Sequence, residues 1–386
     1  MAAEITLELL AGARNLIKYA KVKKAMEVAI VVSQSQDEGL INALVIAAEE
    51  LGAHVVVIKA RGRYERLDFP GLFEEPGRIV QKALLGADII IDAGMGGLYG
   101  TGGRPMDRRY LKSARGEYGA FYIRSEVLTP EVMASEFGRF PCDLIYAIGK
   151  RVIERLDQAK NHVVRITSPL GTDIQYEYDP AGLMGSYREL NMPGDMLAIP
   201  GGRVGLNPQH GFGILMAEMI SPKVEPPHMF MKKPLKIVWE DNWAREITGE
   251  CSDWLNETVD KADKNARWWG ESMFGIHPKS KPWGYPYGHM EVYYTGTHSR
   301  PDTLHNALGH SSGHGGVVSK VHIDVFIHNQ TFYCDGEKLI DAGHLTVYDE
   351  PEIRAIAAKY GDPDVILNLE PMPEGFFICE EDKNGK

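Results

Sequence analysis

Residues 321–329 read VHIDVFIHN. Side chains alternate between the two faces of a β-strand, so His322 and Asp324 share one face while Ile323, Val325 and Ile327 take the other. An imidazole and a carboxylate projecting together from a rigid strand are two ligands for a divalent metal, or the two halves of a buried hydrogen bond. Three further stretches carry donors of the same kind. NMPGDMLAIP places Asp195 at the start of a short apolar run, WWGESMFGIHPKSKPWG supplies Glu271 and His277, and DTLHNALGHSSGHGG supplies His305, His310 and His314 beside glycines. Singly, each has an ordinary explanation. Asp195 can cap the turn after Pro193-Gly194, Glu271 can be a solvated acid, and the histidines can be loop residues. Together they form a set of imidazoles and carboxylates without a cysteine, which suits Zn²⁺, Fe²⁺, Mn²⁺ or Co²⁺. Nine of the 13 histidines fall between His277 and His344, which points to an imidazole-rich site in the last third of the chain.

Elements able to position these residues are legible along the chain. EVAIVVSQ, HVVVIKA and DIIIDAG read as buried strands separated by the helices DEGLINALVIAAEELGA and PGRIVQKALLGA, a pattern that implies parallel βαβ units. CDLIYAIGKRVIERLDQA reads as another strand-to-helix step. GMGGLYGTGGR invites a nucleotide-binding reading, but Tyr99 stands where GxGxxG beginning at Gly94 needs its last glycine, and no P-loop lysine follows. A loop at the strand's carboxyl end is expected there. From about His162 short strands broken by Gly and Pro take over, with ECSDWLNETVDKADKNA as a helix and Asp335-Gly336 as the centre of a tight hairpin turn. SPKVEPPHMFMKKPLKIVWED reads as an exposed connection or edge hairpin. The expected fold class is α/β: a Rossmann-like parallel-sheet domain over residues 1–165, then a mixed α+β metal-binding domain over 166–386.

Composition narrows the function. The 386 residues, 44% hydrophobic and 25% charged, suit a globular protein of about two domains. A formal charge of −11 opposes phosphate binding, so nucleic acid is not an expected partner. No apolar run reaches the ~18 residues that span a membrane. The N-terminal stretch is amphipathic rather than signal-like, and a cytoplasmic location is expected. Four dispersed cysteines without a CxxC pair argue against a disulfide framework or a thiolate zinc site. Aromatic stretches at Trp268-Trp269 and 283–287 point to a homo-oligomer.

In order, PGDMLAIP, GESMFGIHPKSKPW, LHNALGH and VHIDVFIHN resemble the motifs of the aminopeptidase T/aminopeptidase S family of metallopeptidases. The resemblance implies a hydrolase of an amide or peptide bond in a small molecule or short peptide, with one or two divalent ions (Zn, Co, Mn or Fe). It implies Asp195, Glu271, His305, His322 and Asp324 as ligands, with Glu271 or Asp195 free to act as the proton acceptor. His310 and His314 are expected to polarise the scissile carbonyl. The related 2,5-dihydroxypyridine 5,6-dioxygenases resemble the chain in length and C-terminal motifs. They bind one Fe²⁺ with two histidines and an aspartate, at positions matched here by Glu271, His322 and Asp324; as the alternative, such a triad could be made in this chain from His305, His322 and Asp324. Three departures lean toward the hydrolase: Glu271 stands where the dioxygenase has its first histidine, Asp195 where it has an apolar residue, and its base histidine has no match near Tyr99.

Overall fold

The structure, a computed structural model, describes residues 4–34, 36–60, 78–93, 120–125, 129–185, 196–199, 201–221, 229–283, 296–311, 316–377 and 379. Asp195 and His314 lie outside these residues. In chain order the first strands are β1 (Glu27–Ser33), β2 (His54–Ala60), β3 (Ile89–Asp92), β4 (Phe121–Ser125), β5 (Val163–Thr167) and β6 (Asp173–Glu177). Next come β7 (Met184–Gly185), β8 (Met196–Ile199), β9 (Arg203–Leu206), β10 (Gln209–Ser221), β11 (Met229–Glu240) and β12 (Trp243–Gly249). The last are β13 (Trp269–Gly275), β14 (Thr303–Gly309), β15 (His322–His328), β16 (Thr331–Cys334), β17 (Glu337–Asp341) and β18 (His344–Leu345). The first six α-helices are α1 (Leu7–Tyr19), α2 (Glu38–Glu49), α3 (Arg78–Leu84), α4 (Pro130–Ala134), α5 (Cys142–Asp157) and α6 (Ser252–Ala262).

The first compact unit comprises Met1–Tyr146 with Ser186–Gly201. Its sheet is parallel in the order β2-β1-β3-β4-β8, with Ile30, Val31, Ile90 and Ile91 fully buried. Continuous apolar strands are what a parallel sheet needs. Thr6 and Asp37 start α1 and α2 by accepting the N–H groups of Leu9 (3.1 Å) and Leu40 (3.0 Å). The sequence places one boundary after residue 165. The observed division falls within α5, and the chain later returns to supply β8 as the fifth parallel strand. The strand expected at the start of CDLIYAIGK is absent: α5 is helical from Cys142. Leu144, Ile145, Ile148, Val152 and Leu156 are all buried, a spacing of three and four that selects the helix.

The second unit, Ala147–Gly185 with Gly202–Lys386, is built on an antiparallel sheet in the order β18-β17-β16-β5-β6-β10-β15-β14-β13-β9-β7. β11 adds to β10, and β12 to β11. The stretch expected as a connection or edge hairpin thus contributes β11, a strand of 12 residues paired on both sides. The hairpin turn is where the sequence puts it: Asp335 and Gly336, between β16 and β17, both have positive φ (48° and 85°), as a type I′ turn requires.

β10 lies against β15 and carries a buried acid, Glu218, whose carboxylate accepts the His328 N–H at 2.8 Å. Burial pushes this carboxyl up to about 7, against the opposing pull of the His328 charge and N–H. Between its unfolded value and about 7 the folded protein therefore holds more protons than the unfolded chain. The contribution is complete at acid pH and is lost as pH rises through about 7. Glu218→Gln keeps the acceptor oxygen and removes the charge. The variant is expected to gain stability over wild type as pH rises from about 5 to about 8, by about 1.4 kcal/mol per unit of relieved shift. Denaturant unfolding across that range checks it, and a pH-independent difference would refute the assignment.

Candidate metal centre

β13, β14 and β15 run side by side, with Glu271 paired to Ala307 and Ala307 paired to Asp324. Paired residues share a face, and strands lie about 4.8 Å apart, so two carboxylates straddle a single methyl group. His305 and His322 stand two residues before Ala307 and Asp324, hence on the same face. His305 pairs with Phe326 and His322 with Gly309, one row to either side of the carboxylates. The other face carries Leu304, Leu308, Ile323, Val325 and Ile327, all buried.

A bulge puts Glu271 on this face. In a regular strand Trp269 and Glu271 would point the same way. Here the register shifts between them, so Trp269 pairs with Leu308 and Glu271 with Ala307. The bulged residue is Gly270, where a Cβ would lie 2.7 Å from the Gly309 carbonyl oxygen. Trp269 then packs on the apolar side, stacked on Trp239 at 4.9 Å, and its indole N–H donates to the Glu271 carbonyl and to Asn306 Oδ1, both at 3.1 Å.

Another imidazole joins the site. His298 lies on the segment entering β14, which hydrogen-bonds to the end of β13 through Gly275 N–H to Arg300 O (3.1 Å) and His277 N–H to Ser299 O (2.9 Å). The approach is close enough that a Cβ on Gly275 would sit 2.0 Å from the Ser299 carbonyl carbon. The buried Arg300 guanidinium anchors the segment by binding both oxygens of Asp302 (2.8 and 2.6 Å) and the Ser280 carbonyl (2.7 Å). Burial works to raise the Asp302 carboxyl, but hydrogen bonds from His328 and Arg300 outweigh it and hold it below its ordinary value.

Donor atoms of His298, His305 and Asp324 all lie within 4.8 Å of one another. His298 Nε2 is 3.2 Å from Asp324 Oδ2, and His322 Nε2 is 3.0 Å from Asp324 Oδ1. Glu271 Oε1 is 3.3 Å from His305 Nε2, and its Oε2 is 3.8 Å from His322 Nε2. All five residues are at most 5% exposed. His322 Nδ1 meets the His310 carbonyl at 2.6 Å. A carbonyl only accepts, so Nδ1 carries a proton, and this bond turns Nε2 toward the carboxylates. Burial, reinforced by the neighbouring His305 and opposed by Asp324, holds His298 well below its usual value and therefore neutral. Imidazoles and carboxylates in one buried cluster are the donor set a divalent cation needs, and such acids are costly to bury without one. The residues fit a metal.

Of the residues singled out from sequence, the fold brings together Glu271, His305, His322 and Asp324, and it adds His298. His298 escaped the motif reading because it sits outside the matched segments, and the histidine clustering was its one signal. His310 closes β14 with its carbonyl on His322, and its ring Nδ1 accepts the Ser319 N–H at 3.2 Å. His277 turns its Nδ1 to the Lys279 N–H, and burial, together with the Lys279 charge, lowers it to about 3.

No protein-family model and no curated protein sequence matches the chain. Solved structures do. The 2,5-dihydroxypyridine dioxygenase of Pseudomonas putida KT2440 superposes with a TM-score of 0.68 at 18% identity, over 87% of this chain and 96% of that one. Wild-type AmpT from Thermus thermophilus superposes with a TM-score of 0.57 at 16% identity, over 88% of this chain and 98% of that one. The chain shares their fold. These are the two branches that the motifs resemble, and at this identity the likeness speaks for the fold alone.

His298→Ala is expected to keep the fold and weaken metal binding by at least about tenfold, since losing even an outer partner of a ligand costs about 10–100-fold. Gly275→Ala is expected to lose stability and metal affinity together. Equilibrium dialysis with Zn²⁺ alongside thermal unfolding checks both, and unchanged zinc binding in His298→Ala would remove it from the set.

Proposed function

We propose that the chain is a metal-dependent hydrolase of an amide or peptide bond in a small substrate. The observation that carries this reading is the division of the two carboxylates. Glu271 turns one oxygen to His305 and the other to His322, while Asp324 turns one to His322 and the other to His298. Two carboxylates divided in this way among three imidazoles suit one or two divalent ions, which Glu271, Asp324, His298, His305 and His322 would hold. Bound there, the metal supplies Lewis acidity and makes water acidic near neutral pH. The protein's own part is to exclude bulk water, to hold His305 and His322 apart across the Ala307 row, and to keep Glu271 within reach of a proton released at the site. Asp195 remains proposed as a further ligand or proton acceptor, and His310 and His314 as groups polarising the scissile carbonyl. The amide or short-peptide class rests on the motif likeness to the aminopeptidases. We read the protein as a cytoplasmic homo-oligomer acting on small molecules rather than nucleic acid. Among the described residues no helix is long and apolar enough to cross a membrane.

A second reading has its own observation. His298, His305 and Asp324 form the tightest trio, a two-histidine, one-carboxylate set of the kind that holds Fe²⁺ in oxygenases. It supports a ring-cleaving dioxygenase of a dihydroxypyridine-type heterocycle. Oxygen dependence separates the two. The Zn²⁺- or Co²⁺-loaded protein is expected to cleave an amide or short peptide under nitrogen, and Glu271→Gln to lose about 10²–10⁴ of the rate by removing the proton acceptor. Stoichiometric O₂ uptake on a dihydroxypyridine with Fe²⁺, and no anaerobic hydrolysis, would reverse the choice.

A further inference from the structure

The connection from β14 to β15 is held from outside the sheet. His310 N–H pairs with the Val321 carbonyl (2.7 Å) and Ser311 N–H with the Val317 carbonyl (2.8 Å), so residues 318–320 are left outside the β pairing. Residues just beyond α6 clasp them. Asp263 accepts the Ser319 hydroxyl (3.0 Å) and the Lys320 N–H (2.5 Å) on one oxygen and the Asn265 N–H (2.9 Å) on the other. The Asn265 amide donates to the Val318 carbonyl at 2.8 Å. Burial works to raise Asp263, but the bonds from Lys320, Asn265 and Ser319 outweigh it and keep the carboxyl low.

The clasp leads to the metal centre. Ser319, positioned by Asp263, donates its N–H to the His310 ring, and the His310 carbonyl receives the Nδ1–H of His322. We propose that Asp263 is a positioning residue for the metal centre, acting through Ser319 and His310 to fix the tautomer and ring orientation of His322. The inference rests on the metal reading. Its physical basis is that a carbonyl 2.6 Å from a ligating imidazole orients that ligand only while its own peptide plane is fixed. The His310 peptide is fixed on one side by β14 and on the other by the clasped loop. Without the clasp the ring anchor of His310 loosens, its peptide can rotate, and His322 gains freedom about its bond to the strand.

Asp335 offers an internal control. Its carboxylate clasps another turn, accepting the N–H groups of Asn161 (2.7 Å) and Val163 (3.0 Å) at the β16–β17 hairpin. The experiment measures Co²⁺ affinity by chelator competition and the visible spectrum of the Co²⁺-loaded full chain, with thermal unfolding in parallel. Asp263→Asn is expected to weaken Co²⁺ binding about tenfold and to alter the ligand-field bands. Asp335→Asn is expected to lower the unfolding temperature with affinity and spectrum unchanged. Ser319→Ala, which removes only the hydroxyl, should move affinity and spectrum in the same direction as Asp263→Asn, and it serves where that variant fails to fold. If wild type binds Co²⁺ but neither clasp variant differs from Asp335→Asn in affinity or spectrum, the positioning role is overturned while the metal centre stands. If wild type binds no Co²⁺, the metal reading falls and the inference with it.

Discussion

Two carboxylates and three imidazoles are buried together over one face of an antiparallel sheet, and that burial constrains everything around it. Buried acids are tolerated only when opposing groups or a cation satisfy them. The donors must therefore converge, and convergence needs space at the centre. Ala307 supplies it by placing a methyl group between Glu271 and Asp324, where a larger side chain would fill the volume a metal needs. Gly309, with φ at 92°, passes so close to the next strand that a Cβ would lie 2.4 Å from the Val321 carbonyl oxygen, and Gly275 lets the segment bearing His298 press against β13. Small residues surround the site because donors from several segments have to reach one point.

Rigidity comes from the reverse of the same sheet. Trp269 and Trp239 stack there, and Tyr176 meets Trp269 edge-on at 5.2 Å. Since the Trp269 indole also holds the Glu271 carbonyl, packing on the apolar side fixes the bulge that aims a carboxylate on the other. Phe326 plays a comparable part on the donor face. Its ring lies 4.8 Å from His298 and 5.2 Å from His305, with Phe376 and Met219 behind it, so the imidazoles are held by packing as well as by charge. Chemistry on one face and core on the other are two sides of one set of strands.

A single fold carrying a dioxygenase and AmpT illustrates that activity belongs to the donor set rather than to the architecture. Under the hydrolase reading proposed above, the discriminating position is Glu271. A carboxylate there adds negative charge and a second acidic group able to hold a cation. A histidine would leave one carboxylate among imidazoles, the composition of a mononuclear iron site.

Local pattern by itself determined much of the protein. The alternation in VHIDVFIHN made β15, with His322 and Asp324 on one face and three aliphatics on the other, and Asp335-Gly336 made a hairpin turn. Continuous apolar runs made the parallel sheet of the first unit. All of these depend on side-chain period or on the φ preference of a residue or two, information that lies within a few positions of the chain. Tertiary structure decided the rest. Starting α5 at Cys142 depended on which face of that stretch found a core. The bulge at Gly270, which a strict two-residue period cannot foresee, turned Glu271 away from Trp269 and toward Asp324. Sending β8 into the first unit's sheet and β9 into the second's depended on pairing partners far away in sequence. His298 became a donor only because its segment docks on Gly275, a contact between residues more than twenty positions apart. Types and spacing name candidate ligands; only strand register and close backbone approach bring them to one place.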